Sequence, residues 1–371
     1  MARPWPADLL AIADPELLSQ IVPPLEATII TPEVAGRVSK DDVAGLQEAK
    51  EAISDMLILP RRFPHYFHNS LTSPPRGLLL SGPPGTGKTM LARWIASEVA
   101  STFFNISGGT IFSKYVGDPE KTVKILFQLA KQRAPSVIFL DEVDALLSTR
   151  GDKDCPSSRR VKNELLQAMD GFAVGTEDVL VIGATNLAWE LDPAALSRFA
   201  EHISIDLPDA EARRSHLVRS IVKYHNEMDL GRVGLEPEVL DWLVAELEGY
   251  SMRGLTYVLR KAALVPTREA CCMLDGAAPG ARPKLRRLEK SDFVKAFAQV
   301  DKAWRLRNAG VRGAVRQESE VQEDRAAAAK HRKLEAQRKR ARGEEKDEAT
   351  KEKAKERAAN ARFSKFKKQV E

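Results

Sequence analysis

Cysteine is scarce in this chain of 371 residues: Cys155, Cys271 and Cys272 are all it has. That is too few for a disulfide framework and wrong for a zinc site, so a reducing compartment is expected. Long apolar runs are missing as well. None approaches the ~20 residues that a membrane span needs, so no transmembrane segment is expected. Pro4, Pro6 and Asp8 stand near the start where a signal peptide would carry an apolar core. The expectation is a cytoplasmic or nuclear protein. No repeat of 20–50 residues is visible, which excludes solenoid and propeller architectures.

Hydrophobic residues make up 43% of the chain, enough for a core in one large or two medium domains. The charge is unevenly spread. Residues 316–371 hold 18 Lys+Arg against 12 Asp+Glu, whereas residues 1–315 hold 39 against 40. The net charge of +5 therefore belongs to the tail. A basic tail favours an acidic partner such as nucleic acid, an anionic membrane or an acidic protein surface. The plainer reading is a solvated charged helix, and the Ala/Lys/Arg/Glu-rich stretch from Ala326 to Lys368 fits either a long helix or disorder.

The most informative segment is Gly82-Pro83-Pro84-Gly85-Thr86-Gly87-Lys88-Thr89, a complete G-x-x-x-x-G-K-[ST] phosphate loop. The apolar run Gly77–Ser81 before it reads as a buried strand. The run Met90–Ala100 after it places Leu91, Ile95 and Val99 on one helical face. Glycines let backbone N–H groups close around phosphate oxygens where a side chain would clash. The helix start adds a positive dipole end. Lys88 is expected at the β/γ-phosphates and Thr89 on Mg²⁺.

From Gly45 onward, helix and strand patterns alternate. Phe103–Ser107, Val137–Asp141, Val179–Ala184 and His202–Leu207 join Gly77–Ser81 as strands. Helices are expected over Pro119–Gln132, started by Asp118 as N-cap, and over Ser157–Met169, stopped by Gly171. Five strands separated by helices imply an α/β doubly wound parallel sheet. After Pro208 only helices follow: Ala210–Tyr224, Pro237–Leu247, Gly254–Val265 and Lys290–Lys302. The expected division is an N-terminal helical segment or linker over 1–44, interrupted at Pro23-Pro24, then an α/β domain over 45–208, a small helical domain over 209–302 and a charged tail over 303–371. Asp141-Glu142 follows a buried apolar run. Asp141 is placed to hold Mg²⁺, and Glu142 to polarise a water facing the γ-phosphate as a general base.

These blocks, together with Asp42-Val43-Ala44-Gly45-Leu46, Ser113-Lys114-Tyr115-Val116-Gly117-Asp118-Pro119-Glu120-Lys121, Ser158-Arg159-Arg160-Val161-Lys162, Gly183-Ala184-Thr185-Asn186 and Leu191-Asp192 through Arg198-Phe199, resemble the AAA ATPases of the clade containing katanin, spastin, fidgetin and the ESCRT-disassembling ATPase. The likeness covers roughly residues 38–300. It implies an AAA-type fold with ATP and Mg²⁺, and a homo-oligomer, a nucleotide-dependent hexamer. Besides the phosphate loop, Gly45 and Leu91 would contact the nucleotide. Asn186 would position the attacking water. Arg198 would be an arginine finger reaching the next subunit's γ-phosphate, a device worth roughly 10³–10⁵ in rate. Lys114, Tyr115 and Val116 would form a first pore loop that grips a threaded polypeptide, with Arg159 and Arg160 as a second. Tubulin, with its acidic tails, would be the substrate and the cytoskeleton the location. The alternatives are disassembly of another polymer, such as ESCRT filaments, and a slow nucleotide-dependent scaffold. Four positions depart from the family pattern. Ser197 stands where a second arginine is usual. Ser251-Met252-Arg253-Gly254 replaces Ser-Gly-Ala-Asp, making Arg253 a candidate to approach a phosphate. Lys40 replaces a tryptophan. The closing Ser-Val-Ser segment and aromatic helix are replaced by the charged tail.

Overall fold

A computed structural model of the chain describes residues 5–30, 38–67, 74–112, 118–148, 156–174, 178–231, 234–272 and 285–300. Two compact units are distinguished, Met1–Val315 and Arg316–Glu371. All described residues lie in the first, so the expected helical or disordered tail falls outside them. Among the described residues no helix is long and apolar enough to cross a membrane.

The sheet has six strands, β1 (Ile29–Ile30), β2 (Gly77–Ser81), β3 (Thr102–Ser107), β4 (Ser136–Asp141), β5 (Val179–Thr185) and β6 (Glu201–Ser204), in the spatial order β1-β3-β4-β5-β2-β6. The five expected strands, β2 to β6, are parallel to one another. The sixth, β1, adds to them as an antiparallel edge on β3. Its two residues are too few to show a period, and what places them is the pairing itself, with Ile29 opposite Phe104 and the Asn105 N–H donating to Thr28 O at 3.1 Å.

Side chains alternate strictly between two cores, as the two-residue strand repeat demands. Leu79, Phe104, Ile106, Ile138, Leu140 and Val181 face one core, shared with the helices Pro15–Ala27, Pro119–Gln132 and Pro156–Val174. Leu78, Leu80, Phe103, Val137, Phe139 and Ile182 face the other, with Trp94 and Ile95 of the helix Lys88–Glu98. Burial on both faces explains why these strands read as unbroken apolar runs. The N-terminal helices contribute Leu9, Leu18, Ile21 and Leu25, each at most 1% exposed, to the first core.

Two expected breaks are not breaks, and one helix runs past its expected end at Val265. Pro23-Pro24 lies inside the helix Pro15–Ala27. Both prolines are exposed, as are Ser19 and Gln20, whose carbonyls lose their helical donors and can turn to water instead. Gly171 lies inside Pro156–Val174, since an interior glycine costs only about 1 kcal/mol. Pro266 lies inside Met252–Cys272, where the Thr267 hydroxyl donates to Ala263 O at 2.9 Å beside the missing bond. The caps follow the sequence: Asp118, Asp192 and Asp209 each accept a backbone N–H at their helix start.

Helices Ala210–Glu227, Pro237–Glu246, Met252–Cys272 and 290–300 close around Leu217, Ile221, Leu243, Leu255, Val258 and Phe293. An ionic knot locks this bundle. Arg286 donates to both carboxylate oxygens of Asp292 at 2.7 Å and, through Nε, to Glu269 at 2.8 Å. The Glu289 N–H also donates to Asp292, at 2.9 Å, capping the last helix. Burial pushes the Asp292 carboxyl upward in pKa, but the Arg286 and Glu289 hydrogen bonds outweigh it and hold it below the usual carboxylate range.

Asp292→Asn keeps the shape and removes the charge. It should destabilise the chain by about 1.5–3 kcal/mol at neutral pH, the worth of a hydrogen bond to a charged group, read by urea denaturation. Because the folded pKa is depressed, this stabilisation is full above the unfolded carboxyl pKa near ~4 and is lost as pH falls through the folded value. The gap between wild type and variant should therefore close in acid. A gap unchanged at pH 3 would rule the ionic account out.

Candidate active site

A cavity of about 380 Å³ opens at the carboxyl ends of β2, β4 and β5, where ligands of open α/β sheets bind. Its floor is the phosphate loop, from Pro84 to Thr89, running into the helix Lys88–Glu98. Asp141 and Glu142 enter from the end of β4 and Asn186 from just past β5. Lys88 is only 8% exposed. Its ammonium donates to Gly82 O at 2.6 Å, Pro83 O at 2.9 Å and Asn186 Oδ1 at 2.8 Å. Those bonds draw the loop's first carbonyls and the tip of β5 together around one cation. Gly87, at φ +110°, has nothing within 4 Å of where a Cβ would stand, so the cradle over the helix start is open.

Glu142 has a left-handed backbone, φ +50°, a conformation that costs a residue with a Cβ roughly 1–2 kcal/mol. The surroundings over-determine it. The Glu142 N–H donates to Asp141 Oδ1 at 3.0 Å, and the next N–H, of Val143, donates to Ala184 O on β5 at 2.9 Å. Thr185 Oγ1 donates to Asp144 at 2.6 Å and accepts from the Leu187 N–H at 2.9 Å, which stiffens the turn carrying Asn186.

Arg198 is not among the cavity-lining residues. Its guanidinium is paired with both oxygens of Asp170, Nε at 3.0 Å and NH2 at 2.8 Å, while NH1 donates to Ala194 O at 2.9 Å and Ser197 Oγ at 3.1 Å. The Asp170 hydrogen bond is the main reason its pKa is raised. Two strand glycines make its seat. A Cβ on Gly77 of β2 would lie 2.4 Å from Arg198 O, and one on Gly183 of β5 would lie 2.8 Å from the Phe199 ring. Phe199 thereby sinks to 2% exposure and anchors the residue before it.

Four residues expected at the nucleotide, Gly45, Gly82, Pro83 and Leu91, do not line the cavity. Leu91 is fully buried in the second core, because one turn into the helix its side chain meets the sheet. Gly45, at φ +65°, packs against the helix Ala210–Glu227: a Cβ there would lie 2.4 Å from Ala212 Cβ. Its neighbours Asp42, Val43 and Ala44 line the cavity instead. Gly82 and Pro83 contribute carbonyls to Lys88 rather than cavity wall. Arg159 and Arg160 are exposed on the first turn of Pro156–Val174, with Arg160 3.7 Å from Glu120. Lys114, Tyr115 and Val116 lie outside the described residues.

Sequence reasoning missed the far wall, made by His216 of the helix Ala210–Glu227 and Met252 and Thr256 of the helix Met252–Cys272, beside Arg253. The Thr256 hydroxyl donates to Met252 O at 3.0 Å and so accepts from His216 Nε2 at 3.1 Å. Burial, with help from Arg219, holds the His216 imidazole below its usual pKa. His216 and Thr256 are 40 positions apart on different helices, so no local motif announces them.

Residues 78–207 match the model of the ATPase family associated with various cellular activities (AAA). Among solved structures, the AAA domain of FIGL-1 in complex with ADP is 35% identical, with a TM-score of 0.63, over 78% of this chain and 91% of that one. The chain belongs to the AAA ATPase family. A katanin structure described as the basis for katanin self-assembly is 33% identical, with a TM-score of 0.59, over 80% of this AAA ATPase and 92% of that chain. The spastin homolog of Caenorhabditis elegans is 42% identical over 268 residues, 71% of this chain and 50% of the relative. The AAA ATPase spans about half the length of the curated spastin relatives it matches.

Glu142→Gly should separate function from strain in this AAA ATPase. Relief of the left-handed backbone, worth ~1–2 kcal/mol, exceeds the ~0.5–1 kcal/mol entropic cost of glycine. The thermal midpoint should rise slightly while ATP turnover falls to background. A lowered midpoint would show that the backbone is not strained.

Proposed function

We propose that this chain is the motor of a ring-forming ATPase that pulls a polypeptide through its pore, with microtubule severing as the work done. The observation that carries it is a division of labour: Lys88, Asp141, Glu142 and Asn186 line one cavity, while Arg198 stands outside it. A guanidinium that is not part of its own chain's site is suited to complete a neighbour's.

The residues fit a nucleoside triphosphate. The helix start and open cradle suit phosphate, and the Lys88 ammonium can exchange two loop carbonyls for phosphate oxygens without moving far. They also fit magnesium, since the Thr89 hydroxyl and Asp141 carboxylate both line the cavity and offer hard oxygens. Among the described residues no group of three or more His, Cys, Asp or Glu gathers to hold a metal alone, so the ion would share its shell with phosphate. When bound, it offsets charge on the β- and γ-phosphates. Glu142 accepts the proton of the attacking water, and Asn186 orients that water while held to Lys88. Arg198 leaves Asp170 to meet charge developing on the γ-phosphate of the adjacent protomer.

The ring reading is supported by the katanin self-assembly relative, and severing by the spastin relative. In this reading Lys114, Tyr115 and Val116 grip the substrate, Arg159 and Arg160 hold acidic side chains, and the basic tail docks on acidic tubulin tails.

Purified protein with ATP should shorten stabilised microtubules, and its ATPase rate per subunit should climb with protein concentration. Glu142→Gln should bind ATP and leave filaments whole; Arg198→Ala should abolish the concentration dependence. Removing residues 316–371 should reduce microtubule co-sedimentation at low salt, and the difference from the full chain should shrink as salt rises and screens the tail. Brisk ATPase with intact filaments would turn the substrate assignment toward another polymer. A rate that stays negligible at every concentration would favour a scaffold.

A further inference from the structure

The helix Pro156–Val174 grips the segment that carries Arg198 at two places, and the grips differ in kind. Near the end of the helix, Asp170 holds the Arg198 guanidinium itself, in a pair whose acid is 55% exposed. Nearer its start, the Lys162 ammonium donates to Asp192 Oδ2 at 2.6 Å and to Ser148 O at 2.8 Å. Both side chains of this pair are shielded, Lys162 at 13% exposure and Asp192 at 19%. The other oxygen of Asp192 accepts from the Ala194 N–H at 2.8 Å, as the N-cap of the short helix Pro193–Leu196. The Arg198 N–H donates to Ala195 O at 3.0 Å, so the arginine follows directly from the helix that Asp192 starts.

Lys162 also reaches back toward the chain's own site. Ser148 ends the helix Asp144–Leu147, which begins just after Glu142. An antiparallel bridge between Ser148 and Leu191, and the Asp192 N–H donated to Leu147 O at 2.9 Å, set the two segments side by side. Lys162 bonds one residue of each. One cation therefore joins the segment leaving Glu142, the segment entering Arg198 and the helix whose first turn exposes Arg159 and Arg160. Stability alone is a poor account of it. Shielding an ion pair costs hydration that the attraction only offsets, and apolar side chains of similar volume often serve a fold as well. What a shielded pair supplies is a defined geometry, since removing one partner strands the other charge. An exposed pair such as Asp170–Arg198 is weak by comparison and easily exchanged.

We infer that Lys162 is a positioning residue for Arg198: through Asp192 it pins the root of the arginine-bearing segment, so that the guanidinium alone moves between Asp170 and the phosphate of the adjacent protomer. This rests on the ATPase reading above, in which Arg198 completes a neighbour's site. The bond to Ser148 sets the same root against the segment behind Glu142. The arginine offered to the neighbour is thereby placed relative to the chain's own site. Lys162 is not among the residues that line the cavity. Its effect on turnover therefore passes through the group it holds in place.

The test compares ATPase rate per subunit across protein concentration for the full chain and its variants Lys162→Met, Lys162→Arg, Asp192→Asn and Lys124→Met. Lys162→Met keeps the stem and removes the donors. It should lower kcat about tenfold or more at concentrations where the rate has risen, because a misplacement of about 1 Å is enough to do so. KM and the binding of a non-hydrolysable ATP analogue should change by less than about twofold. Lys162→Arg should recover part of the loss. Asp192→Asn keeps an oxygen for the Ala194 N–H and loses the charge that faces Lys162, so it should reproduce the defect even where Lys162→Met folds poorly. Lys124→Met breaks a partly exposed ion pair made by Glu164 of the same helix and should leave the rate unchanged. On an Arg198→Ala background, adding Lys162→Met should slow turnover by less than about twofold, since the group it positions is gone. Wild-type kcat in either Lys162→Met or Asp192→Asn, or an equally large loss on the Arg198→Ala background, would overturn the inference. A wild-type rate that is negligible at every concentration, or indifferent to concentration, would instead overturn the reading of a shared ATPase site, and this inference with it.

Discussion

A buried ammonium organises the site. Lys88 is a cation taken almost wholly out of water, and such a charge is tolerated only when oxygens replace its hydration. Gly82 O, Pro83 O and Asn186 Oδ1 do so from two different strands' ends. The loop is consequently shaped before any phosphate arrives, and its shape is tied to the residue proposed to orient the attacking water. An incoming triphosphate offers better acceptors than two neutral carbonyls. Binding then redistributes the bonds of Lys88 rather than creating a new environment for it, which keeps reorganisation small.

The same economy governs Arg198. The glycines of β2 and β5 leave space for the Arg198–Phe199 backbone and ring, so the central sheet itself sets where that arginine sits. Its donors are spent on Asp170, Ala194 and Ser197. A neighbour's phosphate must outcompete a carboxylate for it, and this makes assembly, rather than folding, the event that completes the proposed active centre. Ser197, standing where the family pattern has a second arginine, is one of the acceptors that hold Arg198 at home.

The C-terminal helical bundle takes part in the site more than its sequence suggests. His216, Met252, Arg253 and Thr256 form one wall of the cavity, Gly45 is pressed against Ala212, and the Asp42 carboxylate accepts from the Ser39 N–H at 2.8 Å and from Arg219 at 3.4 Å. A nucleotide in that cavity would touch both halves of the described unit.

Much of this was legible in the residues. Strands buried on both faces write themselves as apolar runs, and the acid before Pro119 marks a helix start because a free N–H needs an acceptor wherever the chain folds. The phosphate loop and Asp141-Glu142 were legible for the same reason: their chemistry needs fixed residue types at short spacing. Readings that depended on who lies next to whom fared differently. Pro23-Pro24, Gly171 and Pro266 look like helix stops in one dimension, yet each cost is small enough for surrounding packing or solvent to offset. The two residues of β1 have no pattern at all and exist because β3 offers an unpaired edge. Leu91 and Gly45 were assigned to the nucleotide by likeness, and the fold turned both toward protein. Short-range chemistry is encoded locally because it acts through bonded neighbours. The far wall of the cavity, the seat beneath Arg198 and the bonds of Lys162 to Ser148 and Asp192 join residues far apart along the chain, and only the packed sheet and bundle bring them within a hydrogen bond's reach.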